Sequence, residues 1–139
     1  MIVVSIIALL SAIALPSFLR ARRRSQNAKF VNDLRVVSGA FELYAVENTG
    51  YPPNALPGVL PAGMDTYFGP SFNFAAPTAV GGNWDWANRK TGNLIGVSVF
   101  NPTADDTQMQ EIDSMIDDGD LTKGSFQKIS SNRFISISQ

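Results

Sequence analysis

The sequence predicts an α+β protein in which one long N-terminal helix packs its second half on a small antiparallel β-sheet. Three observations carry that reading. An uncharged, almost wholly apolar run fills residues 1–19. A helical apolar period then continues to about residue 48 with no proline after Ser25. Two pairs of alternating apolar segments, separated by a short amphipathic helix, occupy the C-terminal half.

The apolar run is interrupted by Ser5, Ser11, Pro16 and Ser17 alone. About 20 apolar residues at ~1.5 Å each cover the ~30 Å hydrocarbon core of a bilayer, so the run is near the shortest length that spans one. A cleaved signal peptide would open on a basic region and end at a small-residue cleavage site, and neither is present. A core helix this apolar all round would need a much larger protein to enclose it. Pro16 removes one backbone hydrogen bond and disfavours the α conformation at Leu15, so a kink or local melt is expected there. Ala8 and Ala12, four apart with Ser5 and Ser11 nearby, form a small-residue face along which helices approach closely.

Charge is distributed unevenly. Through residue 36 there are six bases against one acid, a balance of +5, and from residue 37 there are five bases against eleven acids, a balance of −6. Arg20, Arg22, Arg23 and Arg24 form a basic collar at the end of the apolar run. Such a collar snorkels at a membrane surface; phosphates of lipid or nucleic acid are the other partners it suits, and a net charge of −1 argues against a nucleic-acid coat. The chain divides into residues 1–24, the apolar half-helix with its collar, and residues 25–139, the amphipathic half-helix with its head. With the collar following the apolar run, the positive-inside rule places the head in the cytoplasm unless further positive residues precede Met1. Opening within an apolar run, the sequence is expected to lack its natural start.

Histidine and cysteine are both absent. Serine–histidine and cysteine–histidine dyads, disulfides and thiolate or imidazole metal sites are thereby excluded, and the head must be held by packing alone. No catalytic constellation is found; acid pairs such as Asp105-Asp106 read as solvated helix.

Phe30, Leu34, Val37, Phe41 and Tyr44 recur at helical spacing, and a second apolar stripe of Val36, Ala40 and Leu43 lies beside them. Two stripes imply two partners, the head and something outside it. Asn48-Thr49-Gly50-Tyr51-Pro52-Pro53 supplies a left-handed cap and prolines that end the helix near residue 48. At ~1.5 Å per residue that helix is about 70 Å long, so half of it stands outside the head.

An apolar run, a proline in its latter part, a basic patch, an amphipathic extension and a Tyr-Pro-Pro stop resemble the N-terminal region of type IV pilins and type II secretion pseudopilins over about 53 residues. The resemblance implies that residues 1–19 anchor the free subunit in the bacterial inner membrane and later pack in a filament core, with Pro16 marking where the helix bends or melts on assembly. It also implies a helical homopolymer with minor pilins, an inner-membrane platform protein and an assembly ATPase as partners, ending as a periplasmic pseudopilus or an extracellular filament. The family's glycine and Phe-Thr-Leu-Ile-Glu-type signature is absent, consistent with a truncated start.

In the head, residues 52–82 are rich in proline and glycine and read as a long irregular connection whose Tyr67, Phe68, Phe72 and Phe74 pack inward. Trp84 and Trp86, alternating with Asp85, pair with Ile95, Val97 and Val99 around a loop at 88–93; one face of a small core is the expected role of both tryptophans, ahead of stacking on a sugar or base. Thr103 is placed to cap a helix bearing Met109, Ile112 and Ile116 on one face, with Gly119 ending it. Residues 126–129 and 134–138 form a second hairpin. The run Ile-Asp-Asp-Gly-Asp-Leu followed by Thr-Lys-Gly at 116–124 is similar to the C-terminal part of some pseudopilin-like proteins. Asp117, Asp118 and Asp120 around Gly119 offer carboxylates on a glycine-bent turn, the donor set of a calcium loop, although a solvated acidic turn is commoner and no other cofactor is indicated. The functional expectation is a filament subunit. Its rival is a single-pass, membrane-anchored binding domain that never polymerises.

Overall fold

The computed structural model describes residues 2–90 and 92–138, except for the side chains of Ile13 and Ala14. Helix α1 spans Ile2–Asn48, strands β1 and β2 span Asn83–Asn88 and Ile95–Phe100, helix α2 spans Asp106–Ile116, and strands β3 and β4 span Phe126–Ser130 and Arg133–Ile137. The long helix and both hairpins stand where the sequence places them. Of the kink or local melt expected at Pro16, the melt is absent, and α1 stays helical through this residue. Proline's fixed φ is itself close to helical, so a single proline costs one backbone hydrogen bond without forcing the chain out of the helix.

The four strands form one sheet in the order β1-β2-β4-β3, with every pairing antiparallel. α2 carries the chain from β2 at the interior to β3 at the edge. One face of the sheet presents Trp84, Trp86, Val97, Val99, Phe134 and Phe126, in register across the four strands. These meet Phe30, Val31, Leu34, Val37 and Phe41 of α1 and Met109 and Ile112 of α2 in a single buried cluster. Phe30 stacks on Trp84 with centroids 5.4 Å apart, and Phe41 on Trp86 with centroids 4.0 Å apart. Offset stacking of this kind adds specific geometry to the large apolar area that aromatic rings bury.

Residues 52–82 form turns, as their composition predicts, yet they close the open side of the core. Met64 and Phe74 are buried, and Tyr67, Phe68 and Phe72 pack against the cluster. The segment is tied down at its start, where the Trp86 indole donates to the Pro52 carbonyl at 3.0 Å and Asn54 exchanges two hydrogen bonds with the Asn88 backbone. Where β2 crosses β4, a Cβ on Gly96 would run into the Ser136 carbonyl, so this strand position demands a residue without a side chain.

Two expectations are corrected by packing. Asp105, and not Thr103, caps α2: its carboxylate accepts from the Gln108 amide at 2.8 Å, while Thr103 donates its hydroxyl to the Val80 carbonyl and holds the preceding loop. Ala40 does not belong to an outward stripe, being 6% exposed within the core cluster. The outer face of the sheet is also less polar in behaviour than its residues. Asp85 and Ser98 are buried there, and the Arg133 guanidinium reaches over β2 to the Asp85 carboxylate at 2.5 Å, resting against the Phe100 ring. Burial pushes the Asp85 carboxyl above its ordinary value, opposed by Arg133, Lys90 and the Ser98 hydroxyl.

Candidate functional site

The first half of α1 offers the largest functional surface. Ile2, Val3, Val4, Ile6, Ile7, Leu9, Leu10, Leu15, Phe18 and Leu19 are all more than half exposed, and an 18-residue stretch apolar enough to cross a membrane has none of its residues buried. Ala8, Ala12 and Pro16 are exposed on the same half-helix. A continuous apolar surface of this extent is stable only in lipid or against another protein.

Further along α1, Val36 is 46% and Leu43 50% exposed beside core residues of the same helix. Their backbone is fixed by Val37 and Phe41, which are fully buried on the opposite side. Val36 and Leu43 are thus presented outward on a rigid helix.

The four collar arginines separate into two roles. Arg20, Arg22 and Arg24 are exposed, whereas Arg23 is turned to α2. Its Nε donates to the Glu111 carboxylate at 3.0 Å, and the same Glu111 oxygen accepts from the Asn27 amide at 3.1 Å. Asn27 is buried and in turn accepts from Gln108 at 2.9 Å. These four side chains fasten α2 across α1 directly below the apolar half. An asparagine four residues beyond Arg23 on the same helical face was the available sequence signal.

At the other end of α2 lies the acidic turn. Asp117 is the C-cap; its Oδ2 accepts from the Ser125 amide at 2.6 Å. Asp118 accepts from the Asp120 amide at 2.9 Å. Asp120 is directed to Thr122, accepting from its amide at 3.0 Å and its hydroxyl at 2.6 Å. The group of carboxylates that the fold brings together is therefore Asp113, Asp117 and Asp118, whose ligand atoms lie within 4.8 Å of one another. Asp113 is fully buried, and neither of its oxygens has a hydrogen-bond partner among the described residues. Desolvation, reinforced by Asp118, Asp117 and Asp120, pushes its carboxyl up to about 6, and the nearby Gly119 amide offsets only part of this.

Trp84 and Trp86 are too deeply buried to stack on a sugar or a base. The long helix, one half bare and the other docked on a four-stranded antiparallel sheet, matches the type IV pilin fold. A solved structure of the major type IV pilin PilA1 from Clostridium difficile superposes with a TM-score of 0.59 at 17% sequence identity, covering 84% of this chain and 97% of that one. No family profile matches the chain, and no curated protein sequence matches it.

Proposed function

We propose that the chain is a structural subunit of a type IV pilus-like filament or a type II secretion pseudopilus, polymerising through α1. The observation that carries this reading is the bare N-terminal half of α1, joined without a break to a half whose outward side still presents Val36 and Leu43. A membrane anchor alone accounts for residues 1–19; it gives no reason for apolar residues held outward beyond the collar. In a helical filament the same surface of each subunit packs against neighbours through open-ended, heterologous contacts, which cover both regions at once.

Before assembly the apolar half sits in the bacterial inner membrane, with Arg20, Arg22 and Arg24 at its surface. Transfer into the filament replaces lipid by helix against helix, with Ala8 and Ala12 allowing close approach. The exit from lipid calls for an inner-membrane platform protein and an assembly ATPase, and minor pilins would complete the assembly. The finished filament is periplasmic if a pseudopilus and extracellular if a pilus.

Negative-stain electron microscopy of filaments sheared from cells expressing the native full-length gene, labelled with an antibody against the head, tests the reading. Labelled filaments are expected. Protein confined to the membrane fraction as a monomer would overturn it in favour of an anchored binding domain.

A further inference from the structure

We propose that the groove between α1 and α2 at the basic collar binds the phosphate of an anionic phospholipid, held by Arg20 and Arg24. The groove has a volume of about 610 Å³, within the range of small-ligand sites. Arg20, Arg24 and Ala28 of α1 line it together with Met115 of α2, which is 47% exposed. A smaller hollow of about 230 Å³ shares both arginines and reaches Ser17, inside the apolar run.

Charge in the groove is left unbalanced by two residues. Arg23 and Glu111 also line it, but they neutralise each other: the Arg23 Nε donates to Glu111 at 3.0 Å, and the same carboxylate oxygen accepts from Asn27. Arg23 Nη2 lies a further 3.6 Å from Asp105. The side chains of Arg20 and Arg24 have no hydrogen-bond or ion-pair partner among the described residues. Four residues apart, they stand on one side of the helix with Cβ atoms about 5–6 Å from each other, a repulsive arrangement for like charges. Guanidinium forks match phosphate oxygens, so one phosphate between the two relieves the repulsion and gives both forks a partner.

Depth selects the source of that phosphate. With residues 1–19 in the hydrocarbon core, the collar lies in the headgroup layer, about 5–7 Å thick on each side of a bilayer. Arg20 to Arg24 rises about 6 Å along the helix, so both guanidiniums fall at the level of lipid phosphates. Met115 and Ala28 offer apolar contact to the glycerol end of the same molecule. A zwitterionic lipid would bring its own cation against the arginines, which favours an anionic headgroup. Snorkelling alone treats the exposed arginines alike, whereas the groove separates Arg20 and Arg24 from Arg22, which is exposed and does not line it. The site presupposes residues 1–19 in a membrane, as under the filament reading, and is independent of polymerisation.

Native mass spectrometry of the full chain in detergent micelles tests the site by titration with phosphatidylglycerol, phosphatidylcholine or inorganic phosphate. One saturable phosphatidylglycerol is expected, bound more tightly than either of the others. Arg20→Gln and Arg24→Gln should each weaken it by about tenfold, and Arg22→Gln by no more than about twofold. Met115→Glu, which places an acid in the groove from α2, should weaken it as the groove arginines do; all four side chains are exposed, so the variants should fold. Equal loss in Arg22→Gln would overturn the site in favour of diffuse attraction. Phosphatidylcholine bound as tightly as phosphatidylglycerol, or inorganic phosphate bound as tightly as the lipid, would also overturn it. Flotation with phosphatidylcholine vesicles separates the two readings: a chain that does not insert overturns the anchor and the site together, and one that inserts without lipid preference overturns the site alone.

Discussion

Phe41 of the long helix and Trp86 of the first strand lie face to face, with ring centroids 4.0 Å apart and planes 6° from parallel. Both rings are fully buried, and the Trp86 indole is anchored to the Pro52 carbonyl just after the helix ends. The pair thus joins helix, sheet and connecting loop at one point. Phe41→Ala should destabilise the head by about 3–5 kcal/mol, the ordinary result of emptying an aromatic core site. A double-mutant cycle with Trp86→Leu, read by chemical denaturation, should return a coupling of about 0.5–1.5 kcal/mol. Additive effects would mean that the rings merely share a core.

The sequence discloses this pair only in part. Phe41 falls on an unbroken helical period and Trp86 on an alternating strand, so their burial follows from pattern alone. Asp85, between the two tryptophans, fits the polar phase of the same alternation and reads as solvent-facing. Its actual partner, Arg133, lies 48 residues away on a strand that is not its neighbour, and no local pattern encodes that contact. Asp113 is hidden for a similar reason: an aspartate in an amphipathic helix reads as its wet side. Its spacing of four from Met109 was the one sign that it shares the apolar face. The cap of α2 is displaced by two residues because Thr103 and Asp105 are both good capping residues, and only the long-range bond from Thr103 to Val80 decides between them.

Arg133→Met should be costly on its own, because it leaves Asp85 buried without its counter-charge, a change worth about 3–5 kcal/mol. The pH dependence follows with a definite sign. A carboxyl whose folded pKa lies above its ordinary 3.8 binds more protons folded than unfolded, so stability falls as pH rises from that value through the folded one. Loss of Arg133 leaves Lys90, the Ser98 hydroxyl and the Trp86 backbone amide as the groups that favour the charged form. The variant should therefore lose stability more steeply than the parent as pH is raised from 3.8, measured by thermal melting across a pH series. Adding Asp85→Leu should recover much of the loss and flatten the profile, because burial of the lone charge is then removed.

Val36→Asp and Leu43→Asp separate assembly from folding. Both side chains are about half exposed, so their replacement should change the stability of the subunit by no more than about 0.5 kcal/mol. Under the filament reading, each puts a charge into a contact between subunits and should abolish sheared filaments seen by electron microscopy, while the melting temperature in detergent stays near the parent's. Normal filaments from both variants would show that this side of the helix is not an assembly surface.

Asn27 determines how firmly α2 is held to α1. Its amide is buried and engaged at both ends, donating to Glu111 and accepting from Gln108, while the neighbouring Arg23–Glu111 pair is partly open to solvent. Solvent-exposed ion pairs contribute about 0–1 kcal/mol, whereas leaving buried polar groups without partners costs about 1–3 kcal/mol each. Asn27→Ala should therefore destabilise α2 more than Arg23→Ala does, although arginine carries the charge. Hydrogen exchange distinguishes the two: amides of residues 109–116 should lose protection in Asn27→Ala, with β1 and β2 little changed, because the sheet keeps its own contacts with Phe30 and Phe41. Equal loss across α2 and the sheet would mean that the head opens as a single unit and that Asn27 supports the whole core through α2.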